Sequence, residues 1–277
     1  MRAGLIQLSV NDDPAANLIV TQDMVREAAS AGAKFVLTPE VTNCISSDRD
    51  QQRRVLRSEA DDETLKALRA DAVHLNIWLL IGSLGLLTED DDGRFANRSF
   101  LISPSGDIVA RYDKIHMFDV NVSEAEQYRE SSGYRPGNSA ILAQTPFAQI
   151  GLSVCYDVRF PHLYWRLAQA GAEILTVPAA FNDTTGAAHW ETLLRARAIE
   201  NGCFVLAPAQ CGTHGSHNSR PRKTYGHSLA IAPWGEVLAD GGTEVGITLV
   251  DLDMTQVAKA RARVPSLSHD RVFEGPL

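Results

Sequence analysis

The chain has 277 residues, 44% of them hydrophobic and 22% charged, a composition in the ordinary range of soluble globular proteins. Its formal charge of -8 argues against nucleic acid as a principal partner, since phosphate binding calls for a basic surface. No apolar run reaches the length of a membrane span, and four cysteines (Cys44, Cys155, Cys203, Cys211) are too few for a disulfide scaffold, so a reducing, cytoplasmic setting without a membrane partner is expected.

The opening MRAGLIQLSV places a strand at residues 3–10. It then meets Asn11-Asp12-Asp13-Pro14, a helix start rather than a signal-peptide cleavage site. The helix ends in Ser30-Ala31-Gly32-Ala33, and a strand at residues 35–38 runs into Pro39-Glu40. SFLISPSGDIVA, residues 99–110, reads as two strands around a Pro-x-Gly turn. A strand at 150–154 precedes a helix from Pro161 that ends in Gln169-Ala170-Gly171-Ala172, and a strand at 174–177 runs into Pro178. Residues 189–201 predict a further helix, and the polar stretch 211–223 predicts a long loop. SLAIAPWGEVLA, residues 228–239, matches 99–110 without a gap.

One plan therefore occurs twice in the same order: a β-α-β unit, whose right-handed crossover makes its strands parallel, and then a hairpin. The predicted fold is α/β with mixed sheets: two sheets face to face with helices outside, a four-layer α-β-β-α sandwich with internal pseudo-two-fold symmetry. No linker or low-complexity segment divides it, so a single domain over 1–277 is expected.

In sheets with parallel β-α units, chemistry gathers at the carboxyl ends of the strands. Glu40, Lys114 and Cys155 follow the strands at 35–38, 108–112 and 150–154, and only the fold can bring them together. As a set they have a coherent use. A thiolate attacks an amide or nitrile carbon, a carboxylate with a pKa raised by burial takes the thiol proton, and an ammonium with a backbone N–H stabilises the oxyanion. The Tyr156 N–H, where strand becomes turn, suits the last duty. Each residue also has a plainer use: a strand-end cysteine as packing, Glu40 as a cap or solvated acid, Lys114 as a surface charge.

Other sets are weaker. Cys203, Cys211, His214 and His217 match no common zinc spacing. His116, His189 and His227 have no local relation to a cysteine that would mark a papain-like pair. No glycine fingerprint or Walker sequence points to a nucleotide. No metal and no cofactor is expected.

FVLTPE with Glu40, RYDKIHMFD with Lys114 and GLSVCYDVRFP with Cys155 resemble the nitrilase, or carbon–nitrogen hydrolase, superfamily. AQAGAEILTVPAAF, TTGAAHWETLLRARAIENGCFVLAPAQCG and YGHSLAIAPWGEVLA extend the resemblance over nearly the whole chain. It implies the same sandwich, a homodimer with a tail at 254–277 at the contact, and a trio of Glu40 as general base, Lys114 as oxyanion stabiliser and Cys155 as nucleophile. It also implies a second glutamate, best matched by Glu130 in YRESSGYRPG, with Glu126 and Glu124 nearby; the segment 121–127 departs from the glycine- and proline-containing loop of the family.

AAHWETLLRARAIE and YGHS resemble the branch of omega-amidases and deaminated-glutathione amidases. The implied substrate is a small terminal amide of a carboxylate-bearing 2-oxo acid, cleaved through a Cys acyl-thioester with release of ammonia or an amine. N-carbamoyl-amine hydrolysis, nitrile hydrolysis and an inactive binding or scaffold role are the alternatives. Arg159, Arg195 and Arg197 are candidates for the substrate carboxylate.

Overall fold

Strand β1 (Arg2–Gln7) is buried at every position after the first, because it runs through the middle of a sheet covered on both faces. The computed structural model describes residues 1–124, 126–215 and 221–275. Helix α1 (Pro14–Ser30) starts where the Asp13 carboxylate accepts the N–H groups of Ala15 and Ala16, with proline at the first helical position. There follow β2 (Phe35–Leu37), α2 (Arg49–Val55), α3 (Glu63–Leu75), β3 (Trp78–Leu86), β4 (Ala96–Ile102) and β5 (Ile108–Asp113). A small hairpin, β6 (Asp119–Asn121) and β7 (Gln127–Arg129), leads to β8 (Ile141–Gln144) and β9 (Gln149–Leu152). After a 3-10 turn at Cys155–Arg159 come α4 (Pro161–Gln169), β10 (Ile174–Thr176), α5 (Asp183–Asn201) and β11 (Phe204–Ala207). A second small hairpin, β12 (Cys211–His214) and β13 (Arg222–Tyr225), precedes β14 (Leu229–Ile231), β15 (Val237–Asp240), β16 (Gly246–Asp251) and α6 (Thr255–Arg263).

The two large sheets have the orders β16-β1-β2-β3-β4-β5 and β8-β9-β10-β11-β14-β15. Taken position by position, each pairing has the same sense in both: antiparallel, parallel, parallel, antiparallel, antiparallel. The repeated plan read from the sequence is therefore present strand for strand. The difference lies in the outer strand, which opens the second copy as β8 but closes the chain as β16. Met1 and Leu252 exchange backbone hydrogen bonds there, at 2.8 and 2.7 Å.

Period-two alternation divides the buried side chains between two layers. Leu5, Phe35, Leu37, Leu80 and Leu101 pack with Ile150, Leu152 and Leu206 of the other sheet. Their sequence neighbours Ile6, Val36, Leu79 and Ile81 pack with Val25 and Ala28 of α1 and Leu68 and Ala72 of α3. The result is helix, sheet, sheet, helix. No helix among the described residues is long and apolar enough to cross a membrane.

One segment differs from the sequence reading, and a second carries a helix that the reading did not specify. Residues 211–223, read as a long loop, contain β12 and the start of β13; their strands are polar and half exposed, so no apolar alternation announces them. The segment 254–277, read as a tail, begins as α6, with Val257 and Ala260 buried and Arg261 donating to the carbonyls of Asn201 and Ala172.

Gly82 on β3 shows how tightly the two halves meet. A Cβ there would stand 2.0 Å from the Thr38 carbonyl oxygen, 2.5 Å from that of Pro39 and 2.6 Å from Pro178 Cβ. Gly82→Ala must displace backbone rather than a side-chain end, so a loss of about 3 kcal/mol or more is expected in urea denaturation. Activity should fall with it, since the displaced backbone carries Glu40.

Candidate active site

Three turns at the same end of the sheets deliver the site. The first follows β2, where Glu40 is only 3% exposed and Val41 has φ 48°. A β-branched residue in the left-handed region is a strained joint, held here by the Val41 N–H donating to Ser83 Oγ at 2.8 Å. Thr42 Oγ1 donates to the Pro39 carbonyl at 2.7 Å, and Gln210 of the second half donates to the Glu40 carbonyl at 3.0 Å. The second turn follows β5 and carries Lys114. The third follows β9: Cys155, also left-handed at φ 50°, donates its N–H to the Pro178 carbonyl at 2.9 Å.

The three side chains converge on one cavity of about 680 Å³. Lys114 Nζ donates to Glu40 Oε1 at 2.9 Å and to both oxygens of Glu130, at 2.9 and 2.8 Å. Glu40 Oε1 also accepts from Asn97 Nδ2 at 2.9 Å, and Oε2 accepts from the Ala180 N–H at 2.8 Å. Cys155 lines the same cavity, near enough to Glu40 for the carboxylate's charge to act on the thiol. The Tyr156 N–H, at the start of the 3-10 turn, meets no acceptor among the described residues.

The charge states follow from these contacts. Burial by itself would raise Glu40, but Lys114 and Arg222, with hydrogen bonds from Lys114 and Ala180, outweigh it and hold the carboxyl below its ordinary value. This corrects the expectation of a carboxylate raised by burial: the neighbouring cations reverse the sign. Burial opposes the Lys114 ammonium, yet Glu130, Glu40 and Cys155 lift it well above its ordinary value. Burial, then the Glu40 charge, pushes the Cys155 thiol well up. The resting site is thus a neutral thiol sharing its cavity with a carboxylate and an ammonium, and Glu40 is the carboxylate near enough to serve its proton.

Glu130, not Glu126, is the second glutamate at the lysine; it also accepts the Phe118 N–H at 2.6 Å. Glu126 instead accepts from the Tyr128 hydroxyl at 2.7 Å and Asn182 Nδ2 at 2.6 Å, and Glu124 is exposed. The hairpin β6–β7 brings these groups to the cavity wall. Of the three histidines weighed, His116 Nδ1 faces Asp157 at 2.7 Å, His189 Nδ1 faces Arg159, and His227 Nδ1 faces Asp240. Cys203 contacts Arg261, while His217 lies outside the described residues. Among the described residues no three His, Cys, Asp or Glu side chains gather as a metal site.

Residue-by-residue reading missed four groups. Asn97 reaches both Glu40 and Glu130, and the Ala180 N–H fixes Glu40. Asp157, fully buried, accepts from the Tyr112 hydroxyl at 2.6 Å, the Val154 N–H at 2.8 Å and the His116 N–H at 3.0 Å. It thereby ties the lysine turn to the cysteine turn, and its place inside CYDVRFP was the available signal. Arg222, on β13, also lines the cavity.

His214, on the same hairpin, is buried with Nδ1 2.7 Å from the Val10 carbonyl and Nε2 2.6 Å from Thr224 Oγ1. Burial, with Arg222 adding to it, pushes its pKa down to about 4. The unfolded chain therefore binds more protons between pH 4 and 6.5, and stability falls as pH drops through that window, by about 3 kcal/mol in all. Urea denaturation at pH 7 and pH 4.5 should show the loss, and His214→Gln should flatten it.

A carbon-nitrogen hydrolase family model matches residues 2–262. The chain is 37% identical to the deaminated glutathione amidase of Yersinia enterocolitica, over 96% of this chain and 92% of that protein. It is 36% identical to the omega-amidase NIT2 of Homo sapiens, over 98% of this chain and 95% of that one. The solved NitFhit protein of C. elegans superposes with a TM-score of 0.89 at 35% identity; the match covers 98% of this chain and 65% of that longer one. An amidase from Nesterenkonia sp. AN1, carrying acrylamide added to its active-site cysteine, matches at a TM-score of 0.77 and 27% identity, over 96% of this chain and 98% of that one.

Proposed function

Since the chain belongs to the carbon–nitrogen hydrolase family, we propose that it is a thiol-dependent amidohydrolase cleaving the terminal, non-peptide amide of a small carboxylate-bearing 2-oxo acid. The observation that carries the proposal is the meeting of Glu40, Lys114 and Cys155 in one cavity. The amidases of similar sequence support the substrate class.

In this mechanism Glu40 takes the Cys155 proton as sulfur attacks the amide carbon. The oxyanion is stabilised by the Lys114 ammonium and the Tyr156 N–H. Glu40 then gives its proton to the departing nitrogen, the C–N bond breaks, and ammonia or an amine leaves an acyl-thioester on Cys155. Water, deprotonated by Glu40, attacks the thioester; the C–S bond breaks, and the thiol recovers its proton as the acid is released. Glu130 keeps Lys114 charged and in place throughout. The proposal extends to a single catalytic domain over 1–277, to a homodimer, readable by light scattering, and to a cytoplasmic setting that suits four unpaired thiols.

The test is release of 2-oxo acid, with ammonia or amine, from 2-oxoglutaramate and deaminated glutathione, beside carbamoyl amino acids and nitriles. Turnover of the first pair is expected, and turnover confined to nitriles or carbamoyl compounds would overturn the assignment. Iodoacetamide should alkylate Cys155 before the other three cysteines; equal labelling of all four would instead favour an inert scaffold.

A further inference from the structure

The reacting end of the cavity is rich in negative charge. Glu40 and Glu130 face one ammonium, and Glu126 lies on the same wall. A substrate bearing a carboxylate is repelled there unless a cation receives its other end. The arginines first considered do not provide one. Arg195 donates to the Gly235 carbonyl and pairs with Glu191, and Arg197 donates to the Val158 carbonyl and pairs with Glu200. Arg159 lies over the rings of Tyr156 and Phe181, outside the cavity lining.

Four other cations line the cavity: Arg49, Arg129, Arg222 and Lys223. Arg49 is committed to Gln52 and the Tyr134 ring, Arg129 to the carbonyls of Val120 and Tyr128 and to Asn121, and Lys223 is exposed. Arg222 also lies over a ring, that of Tyr128 at 5.9 Å, but differs in its unused N–H donors. Its guanidinium has five N–H donors, of which the described residues accept one: Nη2 donates to the Ala180 carbonyl at 2.7 Å. Among the described residues its Nε is buried without an acceptor and no carboxylate lies within ion-pair distance. A half-buried guanidinium with an orphaned donor in a cavity wall calls for an anionic partner. Nor is the cavity small: about 680 Å³ corresponds to roughly 20 water molecules at about 30 Å³ each, room for a substrate longer than a simple amide.

We propose that Arg222 is the anion-recognition group of this cavity, gripping a substrate carboxylate remote from the scissile amide and selecting amides with a second, charged terminus. The inference rests on the amidase reading above and adds the residue that sets its specificity.

The test compares 2-oxoglutaramate with its neutral methyl ester in the wild type, Arg222→Gln and Arg222→Lys. The ratio of kcat/KM for acid over ester should fall on the order of 10- to 100-fold in Arg222→Gln, mainly through KM, the size expected for losing hydrogen bonds to a charged group. Arg222→Lys, which keeps the charge without the fork, should recover part of the ratio. Glutarate should protect Cys155 from iodoacetamide in the wild type, with the half-protecting concentration at least 10-fold higher in Arg222→Gln. An unchanged ratio, or equal loss of kcat on both substrates, overturns the proposal, because Arg222 would then act through Ala180 and Glu40 alone. Equal protection of wild type and variant by glutarate also overturns it. If the wild type cleaves neither compound yet glutarate protection depends on Arg222, the amidase reading fails and the anion site stands.

Discussion

Cys155→Ala is expected to fold and to show no turnover above background, a loss of at least on the order of 10⁴-fold. Glu40, Lys114 and the Tyr156 N–H remain in this variant, so binding and oxyanion stabilisation persist without an atom to attack the carbonyl. The lost volume is one sulfur, and the turn keeps the Cys155 N–H bond to Pro178. Stability should therefore drop by only about 1 kcal/mol. A second substitution separates chemistry from backbone. Because residue 155 sits at φ 50°, a Cβ there is strained, and Cys155→Gly should be more stable than Cys155→Ala by roughly 1 kcal/mol while equally inactive. Full turnover in either variant would refute the nucleophile. A less stable glycine variant would show that the turn is not strained.

What the sequence made legible follows from where its signals are strong. The two sheets are spelled by short apolar runs and by the paired endings SAGA and QAGA, and the structure places equivalent strands at equivalent positions. Glu40, Lys114 and Cys155 stood out because each follows such a run directly. Asn97 did not, since it sits inside the strand ANRSFLI and acquires its role only when the register sets it opposite Gly85. The Ala180 N–H has no side chain to read. The hairpins β6–β7 and β12–β13 hid for a different reason: their polar strands border a cavity rather than a core, and Arg222 went unnoticed with them. The sign of the Glu40 shift was misjudged because burial is readable from an apolar context, while Lys114, 74 positions away, and Arg222, on the polar hairpin β13, are not.

Glu40→Gln and Lys114→Met should both lose activity but differ sharply in stability. Glu40→Gln removes the base that receives the thiol proton, and kcat should fall about 10²- to 10⁴-fold or more. Lys114 still donates to both oxygens of Glu130, so no buried charge is orphaned. The glutamine can accept from Lys114 and Asn97 through Oε1, but its NH₂ then faces the Ala180 N–H. The loss of that one bond predicts a destabilisation of about 1 kcal/mol. Lys114→Met instead leaves Glu40 and Glu130 buried side by side with their shared cation gone, and a loss of about 3–5 kcal/mol is expected. The pH dependence supplies a further sign. A carboxyl held below its ordinary value contributes stability above its unfolded pKa of about 4.3, and that contribution is lost as pH falls through the lower folded value. Wild type should therefore lose this increment on acidification while Glu40→Gln does not, which denaturation curves at pH 6 and pH 3 would resolve. If Glu40→Gln proves the less stable of the two variants, Lys114 depends on Glu40 rather than Glu130, and the division of roles between the glutamates is reversed.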